Sequence, residues 1–136
     1  MAPRTPPDIL ETEWAILDAL WQAERATARQ VTEALQDRRG WAYSTVKTLL
    51  DRMVEKNLVQ ARQVGNVWEY TPALPRQKAQ RWAWRRLVDV AFGGATAPTL
   101  AFVAKETRLS RRERAELRAL LDELEQQDEG KENGRE

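Results

Sequence analysis

Neither cysteine nor histidine occurs anywhere in this chain of 136 residues. Without cysteine there is no disulfide framework and no thiolate metal site. Without histidine, the commonest general base and the commonest metal ligand are both missing. A site built from carboxylates alone stays open, but no Asp-x-Asp-x-Asp-Gly loop is present. A nucleophile–base pair and a glycine-rich phosphate loop are lacking too, so an enzyme is disfavoured and no cofactor or metal is expected. No apolar run approaches the roughly 18 residues that span a bilayer. The polar, proline-rich start from Met1 to Pro7 does not have the form of a signal peptide. A cytoplasmic protein without stable membrane association is the expectation.

An excess of either charge is also lacking: 22 basic residues stand against 21 acidic ones, a net charge of +1. That total says nothing for nucleic acid, but the distribution does. From Arg38 to Asn66, six basic residues (Arg38, Arg39, Lys47, Arg52, Lys56, Arg62) face only Asp51 and Glu55. From Ala73 to Val90, five basic residues face Asp89 alone. The acids collect in the first helix and at the C-terminus. A near-neutral chain with a basic middle can carry an electrostatic footprint for phosphate, although charge alone fits scattered solvated residues equally well.

Apolar spacing predicts a first helix from about Glu11 to Ala23, with Leu10, Trp14, Leu17 and Trp21 on one stripe and Leu20 alongside. Thr27-Ala28-Arg29-Gln30 is a capping box that opens a second helix with Val31 and Leu35 inward, broken at Asp37 to Gly40. A third helix is predicted from about Ser44 to Lys56. Val46, Leu49, Leu50 and Met53 form its buried stripe, and Ser44, Thr48, Asp51 and Glu55 lie opposite. The pattern then switches to two β-prone runs, Leu58 to Val64 and Val67 to Thr71. Gly65-Asn66 joins them and suits a type II′ turn, with Pro72 and Pro75 ending the hairpin. Arg76 to Phe92, about Ala97 to Lys105, and a stretch opened by the Ser110–Glu113 capping box read as helices. Trp84, Leu87, Val88 and Ala91 make an apolar face on the first of these; Leu117, Leu120, Leu121 and Leu124 make one on the last. A segment this size can hardly bury such faces alone, so pairing of two copies is expected.

Three short helices followed by a tight hairpin is the order of a winged helix-turn-helix. The expected fold class is mainly α with a small β-hairpin wing, joined to a C-terminal helical dimerisation domain. Ser44, Thr45 and Thr48 are short enough to let the third helix sit deep in a major groove, and their hydroxyls can reach phosphate or base edges. Lys47 and Arg52 can reach phosphate or guanine, and Arg62, Gly65 and Asn66 lie on the wing. Taken singly, Thr45 and Thr48 would be ordinary solvent-facing residues and Gly65-Asn66 only a hairpin. Trp14, Trp21, Trp68 and Tyr70 read as core rather than as base-stacking platforms. The combination, in one order and at short spacing, favours DNA.

Several stretches carry a resemblance: Glu11-Thr-Glu-Trp14-Ala-Ile-Leu17; Ala28-Arg-Gln-Val31; Tyr43-Ser-Thr-Val46-Lys-Thr48-Leu-Leu50-Asp-Arg52-Met-Val54-Glu-Lys56; and Trp68-Glu-Tyr70. Together they resemble the penicillinase-repressor family (BlaI/MecI-type), over about Asp8 to Gln127. The resemblance implies a homodimer that represses transcription from a palindromic operator on double-stranded DNA. It implies DNA contacts by Thr45, Lys47, Thr48 and Arg52 with help from the wing; Ser44 stands where some relatives have a basic residue. It further implies release by proteolysis in the dimerisation domain, with a membrane metalloprotease antirepressor system as partner. The bond cut in several relatives is Asn-Phe. Here the corresponding bond is Ala101-Phe102, so the asparagine is absent, and one extra residue precedes Leu109. The cysteine-rich copper-sensing tail of another branch is absent as well.

The expected organisation is a flexible arm (1–7), a winged-helix DNA-binding domain (8–73), a helical dimerisation domain (74–127) and a disordered tail (128–136). Two rival functions stay open. One is a winged helix that binds a protein instead of DNA, which the hydroxyl-rich third helix disfavours. The other is a winged-helix regulator controlled by a small ligand rather than by proteolysis.

Overall fold

The computed structural model describes residues 8–134. The arm expected over 1–7 lies outside them. The chain divides into two units, Met1–Gly94 and Ala95–Glu136.

In the first unit, helix α1 spans Glu11–Ala23, and its buried residues are Glu13, Ile16, Leu17 and Leu20. This is an i, i+3, i+4, i+7 face, rotated from the expected one. Leu10 is 48% exposed, and Trp14 and Trp21 pack at the edge of the core rather than in it. Their rings meet at 6.0 Å, and Trp21 Nε1 donates to the Leu74 carbonyl at 3.0 Å. A polar tip that needs a partner belongs at such an edge. Glu13 takes the buried place instead. Its Oε1 accepts from the Leu10 amide at 2.8 Å and from Lys56 Nζ at 2.7 Å, so two donors converge on one oxygen of the buried carboxylate.

Strand β1 is the dipeptide Ala26–Thr27, and helix α2 follows at Ala28–Ala34. The capping box is present: the Gln30 amide donates to Thr27 Oγ1 at 3.2 Å, and the Thr27 amide donates to Gln30 Oε1 at 2.9 Å. Val31 and Leu35 are buried as expected. Past Leu35 a further turn, α3 (Gln36–Arg39), forms where only a break was expected. Gly40, at φ +62°, ends it in the left-handed conformation that glycine adopts without a Cβ clash.

Helix α4 spans Tyr43–Glu55 and buries Val46, Leu50 and Met53 completely, with Leu49 at the margin. Each such side chain contributes about 1.5–3 kcal/mol by leaving water, which sets the rotation of α4 about its axis and hence the face it shows to solvent. Its C-terminus is a Schellman motif. Asn57 is left-handed at φ +61°, its amide donates to Val54, and the Leu58 amide donates back to Met53 at 2.9 Å. This reversal launches β2 (Val59–Val64), which pairs antiparallel with β3 (Val67–Pro72). The register runs from Val59 opposite Pro72 to Val64 opposite Val67, and β1 adds to the other edge of β3, giving the order β1-β3-β2. Gly65 has φ +62° and Asn66 does not have positive φ, as the type II′ turn requires. The unit is a winged helix.

Helix α5 (Arg76–Ala91) belongs to this same unit, rather than grouping with the later helices as expected. The reason is packing: Leu74 and Ala79 are buried in the winged-helix core and Trp82 packs against it. In the second unit, α6 spans Thr96–Glu106 and α7 spans Arg111–Asn133. The Ser110 capping box is present, with the Glu113 amide donating to Ser110 Oγ at 3.1 Å. The tail expected to be disordered from residue 128 is helical through Asn133. Glu, Gln and Lys are strong helix formers, and Gly130 alone does not outweigh them. No single helix among the described residues is long and apolar enough to cross a membrane.

Candidate nucleic-acid interface

The burial of Val46, Leu50 and Met53 turns Ser44, Thr45, Thr48, Asp51 and Arg52 of α4 out to solvent. Thr48 Oγ1 donates to the Ser44 carbonyl one turn earlier at 2.9 Å, which orients the hydroxyl and leaves its oxygen free to accept. Arg52 is exposed and makes no ion pair among the described residues. The face therefore offers small hydroxyls near its start and a free guanidinium near its end.

Lys47 is placed differently from the other expected contacts. Its Nζ donates to Asp51 at 2.6 Å and to the Tyr70 hydroxyl at 2.9 Å, and it lies 5.6 Å from the Tyr70 ring centroid. The Asp51 and Tyr70 hydrogen bonds raise its pKa, so it is held as the ammonium. Tyr70 is buried in β3, so Lys47 ties the solvent-facing helix to the wing. Two of its three N–H donors are used within the fold. The same bond accounts for Asp51: the acid that dilutes the positive face is neutralised by its neighbour one turn away.

Gly65 and Asn66 form the exposed wing tip. Asn66 shares a groove with Lys47, but Arg62 does not. It lines a separate depression with Arg25, Gln60 and Glu69. Trp68, expected in the core, is 48% exposed. It lies on the same strand face as Tyr70 but two residues nearer the wing tip. Arg29 at the start of α2, Tyr43 at the start of α4 and Trp68 line the groove beside Lys47, and sequence reasoning singled out none of them as a contact. The alternation Trp68–Tyr70 was the available signal, since one strand face carries both rings and α4 cannot cover both.

Of the residues expected at a dimer contact, Val88 is already buried within the single chain. Trp84, Leu87, Leu117, Leu120, Leu121 and Leu124 are exposed, by 38 to 60%. Ala91 is exposed as well, and Ala101 and Phe102 lie inside α6.

A family model described as penicillinase repressor matches residues 9–123. The chain belongs to the penicillinase repressor family. That family is one of DNA-binding transcriptional repressors with a winged helix, in agreement with the fold. Among penicillinase-repressor relatives, the methicillin resistance regulatory protein MecI of Mammaliicoccus sciuri is 26% identical over 115 residues, covering 84% of this chain and 93% of that one. The transcriptional regulator BlaI of Mycobacterium tuberculosis is 42% identical over 69 residues, half of each chain. An uncharacterized 16.5 kDa protein of Latilactobacillus sakei is 30% identical over 114 residues, 84% of this chain and 78% of that one. Among solved structures, monomeric Bacillus licheniformis BlaI in complex with the blaP half-operator is similar over 54% of this chain and 89% of that one, at 23% identity and a TM-score of 0.47.

Proposed function

We propose that this member of the penicillinase repressor family binds a palindromic operator as a homodimer and represses transcription from it. The reading is carried by the exposed face of α4, where Ser44, Thr45 and Thr48 stand beside an unpaired Arg52 and next to the wing. The hydroxyls and Arg52 reach base edges and phosphates. Lys47 holds the helix against β3 and offers its third N–H, while Arg62, Gly65 and Asn66 lie against the flanking backbone. Dimerisation joins two weak half-site contacts into one event at high effective concentration, worth about 10²–10⁴ in affinity. The exposed apolar side chains Trp84, Leu87, Leu117, Leu120, Leu121 and Leu124 supply the apolar surface for it. Two-fold symmetry sets the half-sites about one or two helical turns apart. Release is by proteolysis at Ala101–Phe102. That bond lies inside α6, so cleavage requires local unwinding first.

The test begins with the full chain enriching duplexes from a randomised pool. On the enriched duplex, Arg52→Ala weakens binding by about 1–3 kcal/mol and lowers the salt dependence. Unchanged affinity and slope in folded Arg52→Ala would remove α4 from the interface. Leu120→Glu with Leu124→Glu gives a monomer by sedimentation, with the winged helix folded and affinity for the palindrome lost. A variant that stays dimeric and binds as before refutes the role given to α7.

A further inference from the structure

The start of α2, the start of α4 and the wing enclose a groove of about 320 Å³. Lys47 and the buried Tyr70 line it, together with Arg29, Tyr43, Asn66 and Trp68. Three properties, taken together, distinguish it from the other depressions described on the winged-helix unit. No acidic side chain lines it, whereas Glu11 and Asp18 line the groove along α1, and Glu69 lines the one holding Arg62. Arg29 is exposed and makes no ion pair among the described residues. Two aromatic rings stand open at its mouth, Tyr43 at 50% and Trp68 at 48% exposure.

The occupant this chemistry fits is an anionic chain with apolar rings between its charges. Aromatic side chains left half-exposed around a cation mark a binding surface rather than a core. The flat faces of tyrosine and tryptophan match the apolar face of a deoxyribose, and a guanidinium matches the phosphate that follows it. The groove also adjoins the exposed face of α4, so a duplex whose major groove receives that face carries its backbone past the wing. We propose that this groove seats one sugar–phosphate stretch of the duplex, with Arg29 on a phosphate and the Tyr43 and Trp68 rings packed on the neighbouring deoxyriboses. Arg29, Tyr43 and Trp68 thereby join the contact set and fix how far along the helix axis α4 enters. The proposal rests on the DNA-binding reading above and extends it to a backbone clamp.

Contacts to the backbone carry no sequence information of their own, so their loss has a signature distinct from that of Arg52. The full chain is assayed on the enriched duplex and on a scrambled duplex of equal length. Arg29→Ala and Trp68→Ala each weaken binding to both duplexes by similar factors, about fivefold or more. Arg29→Ala lowers the salt slope by roughly 0.9 per subunit, while Trp68→Ala leaves it unchanged. Hydroxyl-radical footprinting, which reports on deoxyribose accessibility, loses protection at the sugars flanking each half-site in Trp68→Ala and keeps the rest of the footprint. Trp68→Phe retains both affinity and protection, which separates the ring contact from a folding defect. Affinities within about twofold of the unaltered protein and an intact footprint in both alanine variants would overturn the clamp. If Arg52→Ala still loses discrimination between the two duplexes, the broader reading survives that result. Failure of the unaltered protein to enrich any duplex would overturn the broader reading, and the clamp with it.

Discussion

The bond between Lys47 and Tyr70 lends itself to a quantitative test, because one partner is buried and the other is not. Lys47→Met keeps the stem and removes the ammonium. Asp51 then loses a surface partner, which costs about 0–1 kcal/mol. The Tyr70 hydroxyl loses its donor inside the fold, which costs about 1–3 kcal/mol for a buried group. The Lys47 side chain is 37% exposed, so water can partly replace it; the low end applies, about 1.5 kcal/mol in all. Tyr70→Phe removes the hydroxyl and leaves Lys47 with Asp51, at about 1 kcal/mol. In the double variant the hydroxyl is gone before its donor is missed, so the total falls short of the sum by about 0.5–1 kcal/mol. Urea unfolding of the four proteins, followed by tryptophan fluorescence, measures that difference. Additivity within about 0.3 kcal/mol would refute the coupling. The same variants report on DNA. Tyr70→Phe removes no cation, so it weakens operator binding by loosening α4 against the wing and leaves the salt slope where it was. A slope lowered in Lys47→Met as much as in Arg52→Ala would mean that the third N–H of Lys47 contacts phosphate in addition to holding α4 in position.

Two further outcomes follow from local geometry. Gly65 has φ +62° and open space where a Cβ would go, so Gly65→Ala carries only the backbone penalty. It lowers stability by about 1 kcal/mol in thermal melts, whereas a gain, the usual result of Gly→Ala at compatible angles, would contradict the II′ turn. Glu113 is held below the ordinary glutamate pKa by the Ser110 backbone and side-chain hydrogen bonds. The stabilisation it gives the start of α7 is therefore complete above the ordinary glutamate range and is lost as pH falls through the depressed value. Circular dichroism at descending pH shows that limb, and Glu113→Gln flattens it; an unchanged acid limb would separate Glu113 from the cap.

Much of the architecture was legible because local chemistry and tertiary packing agree. Both capping boxes, the Gly65 turn and the Val46–Leu50–Met53 stripe are short-range patterns, and each appears where expected. The misses share a different cause. The α1 face was misjudged because Glu13 reads as solvent-facing until Lys56, 43 positions later, is known to meet it. Trp68 reads as core because periodicity tells which strand face a residue occupies but not how far the opposing helix reaches. Lys47 looked like a free cation because its partner Tyr70 is 23 positions away on another element. Helix α5 reads from its apolar face as a partner of the later helices, and that face does not announce that Ala79 is held in the winged-helix core. In each case the deciding partner is remote in sequence.

The Glu13–Lys56 pair constrains how this family member can change. The carboxylate is 2% exposed and the ammonium a third exposed, and Lys56 also donates to the Asp8 carbonyl at 2.8 Å. Losing Glu13 leaves a partly exposed ammonium that keeps the Asp8 carbonyl and costs less, whereas losing Lys56 strands the buried Glu13 carboxylate, at up to about 3–5 kcal/mol, the figure for a fully buried pair. That is a large share of the ~5–15 kcal/mol by which a domain is stable at all. A joint replacement by apolar residues of similar volume would be nearly neutral. A single replacement at position 13 or 56 is thus costlier than a joint one, and the two positions are coupled. The start of α1 and the end of α4 are thereby coupled through one pair, 43 positions apart in the chain.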